Sequence, residues 1–177
     1  MGQIMGESMA RPFDLLLGRK TYEIFAAHWP YAKDEPGADQ LNNAKKYVAS
    51  RTLNKVSWNN SALIKGDVVQ EIRKLKEQDG PELWVHGSSN FIQTLLKHNL
   101  IDEFRLWIFP VVIGNGKRLF DQGTLPSDLK LLGSKTSSTG VILATYEPAG
   151  ELKTGSFALD NPSEAELTRR ERLRADG

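Results

Sequence analysis

Three short polar segments of this chain carry residue types suited to binding anions, and each stands where an apolar run ends. The first is Gly18-Arg19-Lys20-Thr21, directly after residues 13–17, Phe-Asp-Leu-Leu-Leu. At a strand-to-helix junction, free backbone N–H groups and the positive end of the helix dipole favour an anion. Gly18 permits a tight turn, Arg19 offers a bidentate fork for a phosphate, and Thr21 adds a hydroxyl donor. Taken alone, the tetrapeptide fits an ordinary strand–helix turn with surface charges equally well.

The second segment is Ser50-Arg51-Thr52, where a hydroxyl beside a guanidinium suits a phosphate monoester such as the 2′-phosphate that separates NADP from NAD. A plain polar loop gives the same three residues. The third is His86-Gly87-Ser88-Ser89, in which a glycine and two small hydroxyl residues let a pyrophosphate approach a helix N-terminus. A Ser cap after a Gly turn is the bland alternative. What joins the three is their expected place, at the C-terminal ends of strands. Open α/β sheets bind their ligands at that edge, so three anion-friendly turns there suit a dinucleotide with three phosphates.

The elements that must position these turns follow from hydrophobic spacing. Met1, Ile4, Met5 and Met9 recur at helical intervals, and Arg11-Pro12 ends that pattern. Residues 13–17 predict a buried strand, 21–27 a short helix stopped by Trp29-Pro30, and 31–44 a polar loop with a helical turn near 40–44. Short strands are expected at 47–49 and 62–64. Asp67 then caps a helix with Gln70 as capping-box partner, and Val68, Ile72 and Leu75 form its apolar stripe. A strand at 83–85 and a helix at 91–96 follow.

From Asp102 onward the spacing predicts strands only, at 104–109, 129–132 and 141–146, the last two joined by Ser137-Ser138-Thr139-Gly140. Strands alternating with helices, then strands alone, describe a three-layer α/β fold whose mostly parallel central sheet carries an antiparallel C-terminal edge. Residues 1–147 read as one domain. Residues 148–177 read as a polar tail, mobile or forming a short charged helix capped by Ser163 and Glu166.

The 177 residues include 23 Lys+Arg against 22 Asp+Glu, and that near-neutral balance argues against a nucleic-acid partner or a polybasic membrane surface. Cysteine is absent, which removes disulfide scaffolds, thiolate metal sites and Cys nucleophiles. His28, His86 and His98 lack ligand spacing, so no metal site is expected. Without a signal-like opening or a long apolar stretch, a cytoplasmic location is expected. Gly114-Asn115-Gly116-Lys117 fails as a dinucleotide fingerprint because Leu119 stands where the third glycine belongs. Trp29, Trp58, Trp84 and Trp107 are assigned to packing rather than to a stacking platform.

Leu15-Leu16-Leu17-Gly18-Arg19-Lys20-Thr21-Tyr22-Glu23 closely resembles the strand and phosphate-binding turn of the dihydrofolate reductase superfamily. Val48-Ala49-Ser50-Arg51, Trp84-Val85-His86-Gly87-Ser88 and the run from Pro110-Val111-Val112-Ile113 through Gly114-Asn115-Gly116-Lys117 to Arg118-Leu119-Phe120 agree in order. Together they look most like the branch of the riboflavin-biosynthesis reductase, the RibD C-terminal type, over about residues 1–147.

That resemblance implies an NADPH-dependent reductase acting on a small molecule, with reduction of 5-amino-6-(5-phosphoribosylamino)uracil as the branch's reference activity. It implies cofactor binding by Gly18, Arg19, Thr21, Ser50, Arg51, Gly87, Ser88 and Ser89, and a homodimer like those common among relatives. The branch usually opens with a central apolar strand and a Ser-x-Asp-Gly-like turn, which this sequence lacks, so no catalytic residue is assigned. The same departure supports an alternative, a non-catalytic nucleotide-binding or structural domain that keeps the fold. Of the carboxylates at hand, Asp14 is expected to start a strand, and Glu23 and Asp102 to face solvent.

Overall fold

The computed structural model describes residues 6, 9–122, 124–153, 155 and 160–175. Four parallel strands, β1 (Phe13–Gly18), β2 (Lys46–Ala49), β3 (Ser61–Leu63) and β4 (Glu82–Trp84), form a sheet in the order β3-β2-β1-β4. The run of three leucines in β1 has the physical reason expected of a central parallel strand: Leu15, Leu16 and Leu17 are all buried, and helices cover both faces. On one face, α1 (Arg19–His28) and α2 (Ala38–Asn43) pack with Leu15, Leu17, Tyr22, Leu41 and Trp58. On the other, α3 (Val68–Lys76) and α4 (Ser89–Lys97) surround Leu16 through Ile72, Phe91 and Leu95.

A second, antiparallel sheet has the order β5-β7-β6, from β5 (Phe104–Ile108), β6 (Leu129–Thr136) and β7 (Ile142–Pro148). The three layers and both strand senses agree with expectation, but the antiparallel strands are not an edge of the parallel sheet. They form a sheet of their own. Among the described residues no strand lies between β4 and β5, so each ends its sheet with an unpaired side. Among the described residues, side chains span this break. Arg105 pairs with Glu82 at 3.0 Å, its guanidinium lies 5.3 Å from the Trp84 ring centre, and it also pairs with Glu103. The Trp84 indole donates to Glu82 at 2.7 Å, which holds that carboxyl below the usual carboxylate range, with the Arg105 charge adding to the effect.

Local chemistry explains most element ends. Asp67 accepts hydrogen bonds from the backbone N–H groups of Val69 and Gln70, which satisfies the first turn of α3. The reciprocal Gln70 bond of a full capping box does not form. The loop expected at 31–44 is more ordered than its composition suggests. A 3₁₀ turn, Trp29–Tyr31, leads into α2, and the Asn42 side chain links the Trp29 carbonyl to the Trp58 indole. The expected helix around Met1 to Met9 lies mostly outside the described residues, and Met9 sits in a turn, buried against the first core. Pro110 to Ile113 continues β5 in no sheet. After Pro148, α5 (Glu164–Ala175) carries no buried residue, and Ser163 accepts from the Glu166 N–H at its start.

Candidate anion site at the sheet edge

β1, β2 and β4 are adjacent and parallel, with Gly18 opposite Ala49 and Leu15 opposite Trp84. The three anion-suited segments therefore leave neighbouring strands at the same edge, as the sequence predicts. Two of them touch. The Thr21 and Ser88 hydroxyls share a hydrogen bond of 2.8 Å. Gly18 lies so close to Ser88 that an added Cβ would fall 2.6 Å from the Ser88 Cβ and closer still to its Oγ. Here the need for glycine is lack of space, because the Gly18 φ of −76° suits any residue.

The third segment is strained. Gly87 has φ +104°, and Ser88 follows at φ +73°, a left-handed conformation that costs a non-glycine residue roughly 1–2 kcal/mol. Two successive left-handed residues turn the chain from β4 into α4 without a side-chain cap: Ser88 makes no capping bond, since its hydroxyl faces Thr21 instead. The first N–H groups of α4 thus remain available beside two hydroxyls.

The remaining predicted residues are less convergent. Arg19 lies 3.9 Å from Glu23, an exposed pair one helical turn apart. Arg51 is exposed, and its guanidinium makes no ion pair among the described residues. Ser50 accepts from the N–H groups of Thr52 and Leu53, which shapes the turn that presents Arg51. Asp14 accepts from the Lys45 N–H, and Asp102 pairs with Lys76, so neither is a free carboxylate at this edge.

Composition gives no hint of two further features. The His86 ring has Phe25 at 6.2 Å and Trp84 at 5.7 Å between centres. Desolvation by this surrounding lowers its pKa, although the residue as a whole is exposed. Lys46 is fully buried in β2, its ammonium donating to the Asn42 and Asn59 carbonyls and lying 4.1 Å from the Trp58 ring centre. Burial lowers its pKa to about 8. The β-strand spacing around Tyr47 and Val48 would have revealed that Lys46 faces inward, had its charge not argued the reverse.

Comparison with known proteins gives the family and the fold. Residues 1–143 match the family model described as the RibD C-terminal domain. The chain is 35% identical over 136 residues to the uncharacterized protein YyaP of Bacillus subtilis (strain 168), covering 75% of this chain and 72% of that protein. YwjB, also uncharacterized and from the same strain, is 26% identical over 132 residues, covering 73% and 70%. Among solved structures, a putative riboflavin biosynthesis protein from Shewanella sp. PV-4 superposes with TM-score 0.65 at 24% identity, covering 84% of this chain and 79% of that one. A pyrimidine reductase-like protein from Corynebacterium diphtheriae gives TM-score 0.54 at 13% identity, covering 85% and 79%. At these identities the two structures support the fold.

Proposed function

The chain belongs to the RibD C-terminal domain family, and from that premise we propose that it is an NADPH-dependent reductase that transfers hydride to a small molecule. The observation carrying this reading is the meeting of Gly18, Thr21 and Ser88 at the edge where β1, β2 and β4 end. A pyrophosphate fits what is there. The backbone at Gly87 carries no Cβ and lies open where one would stand, the Thr21 and Ser88 hydroxyls sit side by side, and the first N–H groups of α4 follow at once. Gly18, Thr21, Gly87, Ser88 and Ser89 would hold that part of the cofactor, Arg19 would add charge, and Ser50 and Arg51 would face the adenosine end.

When bound, the nicotinamide supplies the hydride. The protein's part is orientation. The strained Gly87–Ser88 turn fixes the donors in advance, so little ordering is left for the moment of binding. A phosphoribosylamino-pyrimidine is the substrate class we favour, because a structural relative is a pyrimidine reductase-like protein and another a putative riboflavin biosynthesis protein.

Titration with NADPH and NADH, followed by nicotinamide fluorescence, tests the reading. Tighter binding of NADPH supports it, and absence of binding by either refutes it. Arg51→Ala is expected to weaken NADPH about tenfold and leave NADH unchanged, since one charge-assisted contact is worth about 1.5 kcal/mol. One observation favours the second reading, a non-catalytic nucleotide-binding domain: β4, the strand that leads into the Gly87–Ser89 turn, has no strand on its outer side among the described residues. Binding of NADPH without turnover of any pyrimidine substrate is the outcome that selects it.

A further inference from the structure

The Gly114-Asn115-Gly116-Lys117 segment, which fails as a dinucleotide fingerprint, returns in another role. We infer that Gln93 is a positioning residue that holds Lys117 and Arg118 alongside the first half of α4, where the two cations complete the anion site at Gly87–Ser89. This rests on the reading of that edge as the phosphate-binding edge.

Both ends of the Gln93 side chain are used. Its Nε2 donates to the Leu119 carbonyl at 2.7 Å, and its Oε1 accepts from the Thr124 hydroxyl at 3.0 Å. Leu119 and Thr124 are thereby fastened to α4. The other end of their loop lies against the β6–β7 turn, with the Pro110 ring beside Gly140. Chain direction then locates the cations. Ile108, the last residue of β5, pairs with Ile142, just after the β6–β7 turn, whereas the Phe120 ring lies tilted 5.9 Å from that of Phe104, the first residue of β5. Between 110 and 120 the chain therefore travels back along β5, from its C-terminal end to its start.

α4 travels the same way: it starts at Ser89, just past the end of β4, and the chain after it reaches β5, whose Arg105 pairs with Glu82 at the start of β4. Gln93 lies four residues, about 6 Å, along α4. With Leu119 held at that level and Phe120 beyond it, Lys117 and Arg118 fall on the side nearer Ser89. Both are exposed, and among the described residues neither makes an ion pair or a side-chain hydrogen bond. Two unpaired cations beside free helix N–H groups are an electrostatic complement to a phosphate, and the small Gly114 and Gly116 leave the approach uncrowded.

The test is NADPH affinity of the full chain, measured by fluorescence titration at two salt concentrations. The Lys117→Ala/Arg118→Ala double variant is expected to bind about tenfold more weakly, with a shallower salt dependence, as befits two exposed charge contacts. Gln93→Ala is expected to show a similar loss. Adding it to the double variant should cost less than twofold more, because a residue that acts through the cations has nothing left to position. A merely structural Gln93 would add its loss in full, and that result overturns its role. Should the wild type bind NADPH and the exposed Lys117/Arg118 variant bind equally well, the inference falls while the proposed function stands. Should the wild type bind neither NADPH nor NADH, both fall.

Discussion

Replacing Gly18 by alanine tests the contact at the centre of the proposed site. The new methyl would lie 2.6 Å from the Ser88 Cβ, closer to its Oγ, and 3.3 Å from the Phe91 Cβ. Because the backbone at Gly18 already has an ordinary conformation, the penalty is steric, and overpacking of this kind costs about 1–3 kcal/mol. For a chain of this size that lowers Tm by roughly 2–12 °C. Ser88→Gly separates this cost from any other. It removes the Oγ and Cβ that clash, gives up the Thr21 hydrogen bond at about 1 kcal/mol, and relieves left-handed strain of similar size, so alone it should be nearly neutral. The Gly18→Ala/Ser88→Gly double variant should recover most of the lost stability, with only the Phe91 contact still tight. Thermal unfolding of the four proteins in the cycle gives the coupling directly. If Gly18→Ala costs the same with and without Ser88, the two turns do not touch and the proposed cradle is wrong.

Three other outcomes are expected. Lys46 has a folded pKa of about 8 against 10.5 for the free side chain, so above pH 8 the unfolded chain holds more protons and stability rises with pH up to about 10.5. Urea midpoints across that window should show the rise, on the order of 1–3 kcal/mol, and Lys46→Met should remove it. Asp67→Ala should cost about 1 kcal/mol in the same assay by uncapping α3, without altering NADPH affinity. Thr21→Val keeps the side-chain volume and removes one hydroxyl of the pair, so it should weaken NADPH several-fold while shifting Tm by no more than a few degrees.

Residue spacing reveals much of this molecule, for reasons visible in single elements. The apolar run at 13–17 reads as a central strand because nothing polar but Asp14 interrupts it, and Asp14 sits at the strand's start, bonded to the Lys45 N–H. The Asp67 cap is legible because its geometry is local to four residues. The meeting of Gly18 with Ser88 is different: 70 positions separate them, and only the β1–β4 pairing brings them together. Sequence shows that each turn is suited to an anion and not that they share one. Lys46 is hidden for the opposite reason, since a lysine reads as exposed until tertiary structure supplies Asn42, Asn59 and Trp58 around it. Gln93 gives no signal at all, because its partners depend on the path of a loop.

The unpaired sides of β4 and β5 bear on how the molecule comes apart. Among the described residues, the two apolar core clusters belong to the parallel sheet and its helices. The antiparallel sheet contributes Phe104 and Ala144 to the buried set, with Val141 just before β7, while Ile108, Leu131, Leu132 and Ile142 stand open. Among the described residues no ladder of backbone bonds crosses the break; side chains do, through Arg105 to Glu82, Lys76 to Asp102, and Gln93 to the loop after β5. The two sheets are therefore expected to open as separate units, with amides of β5 to β7 exchanging with solvent deuterium well before those of β1 and β2, by events that leave the first sheet intact.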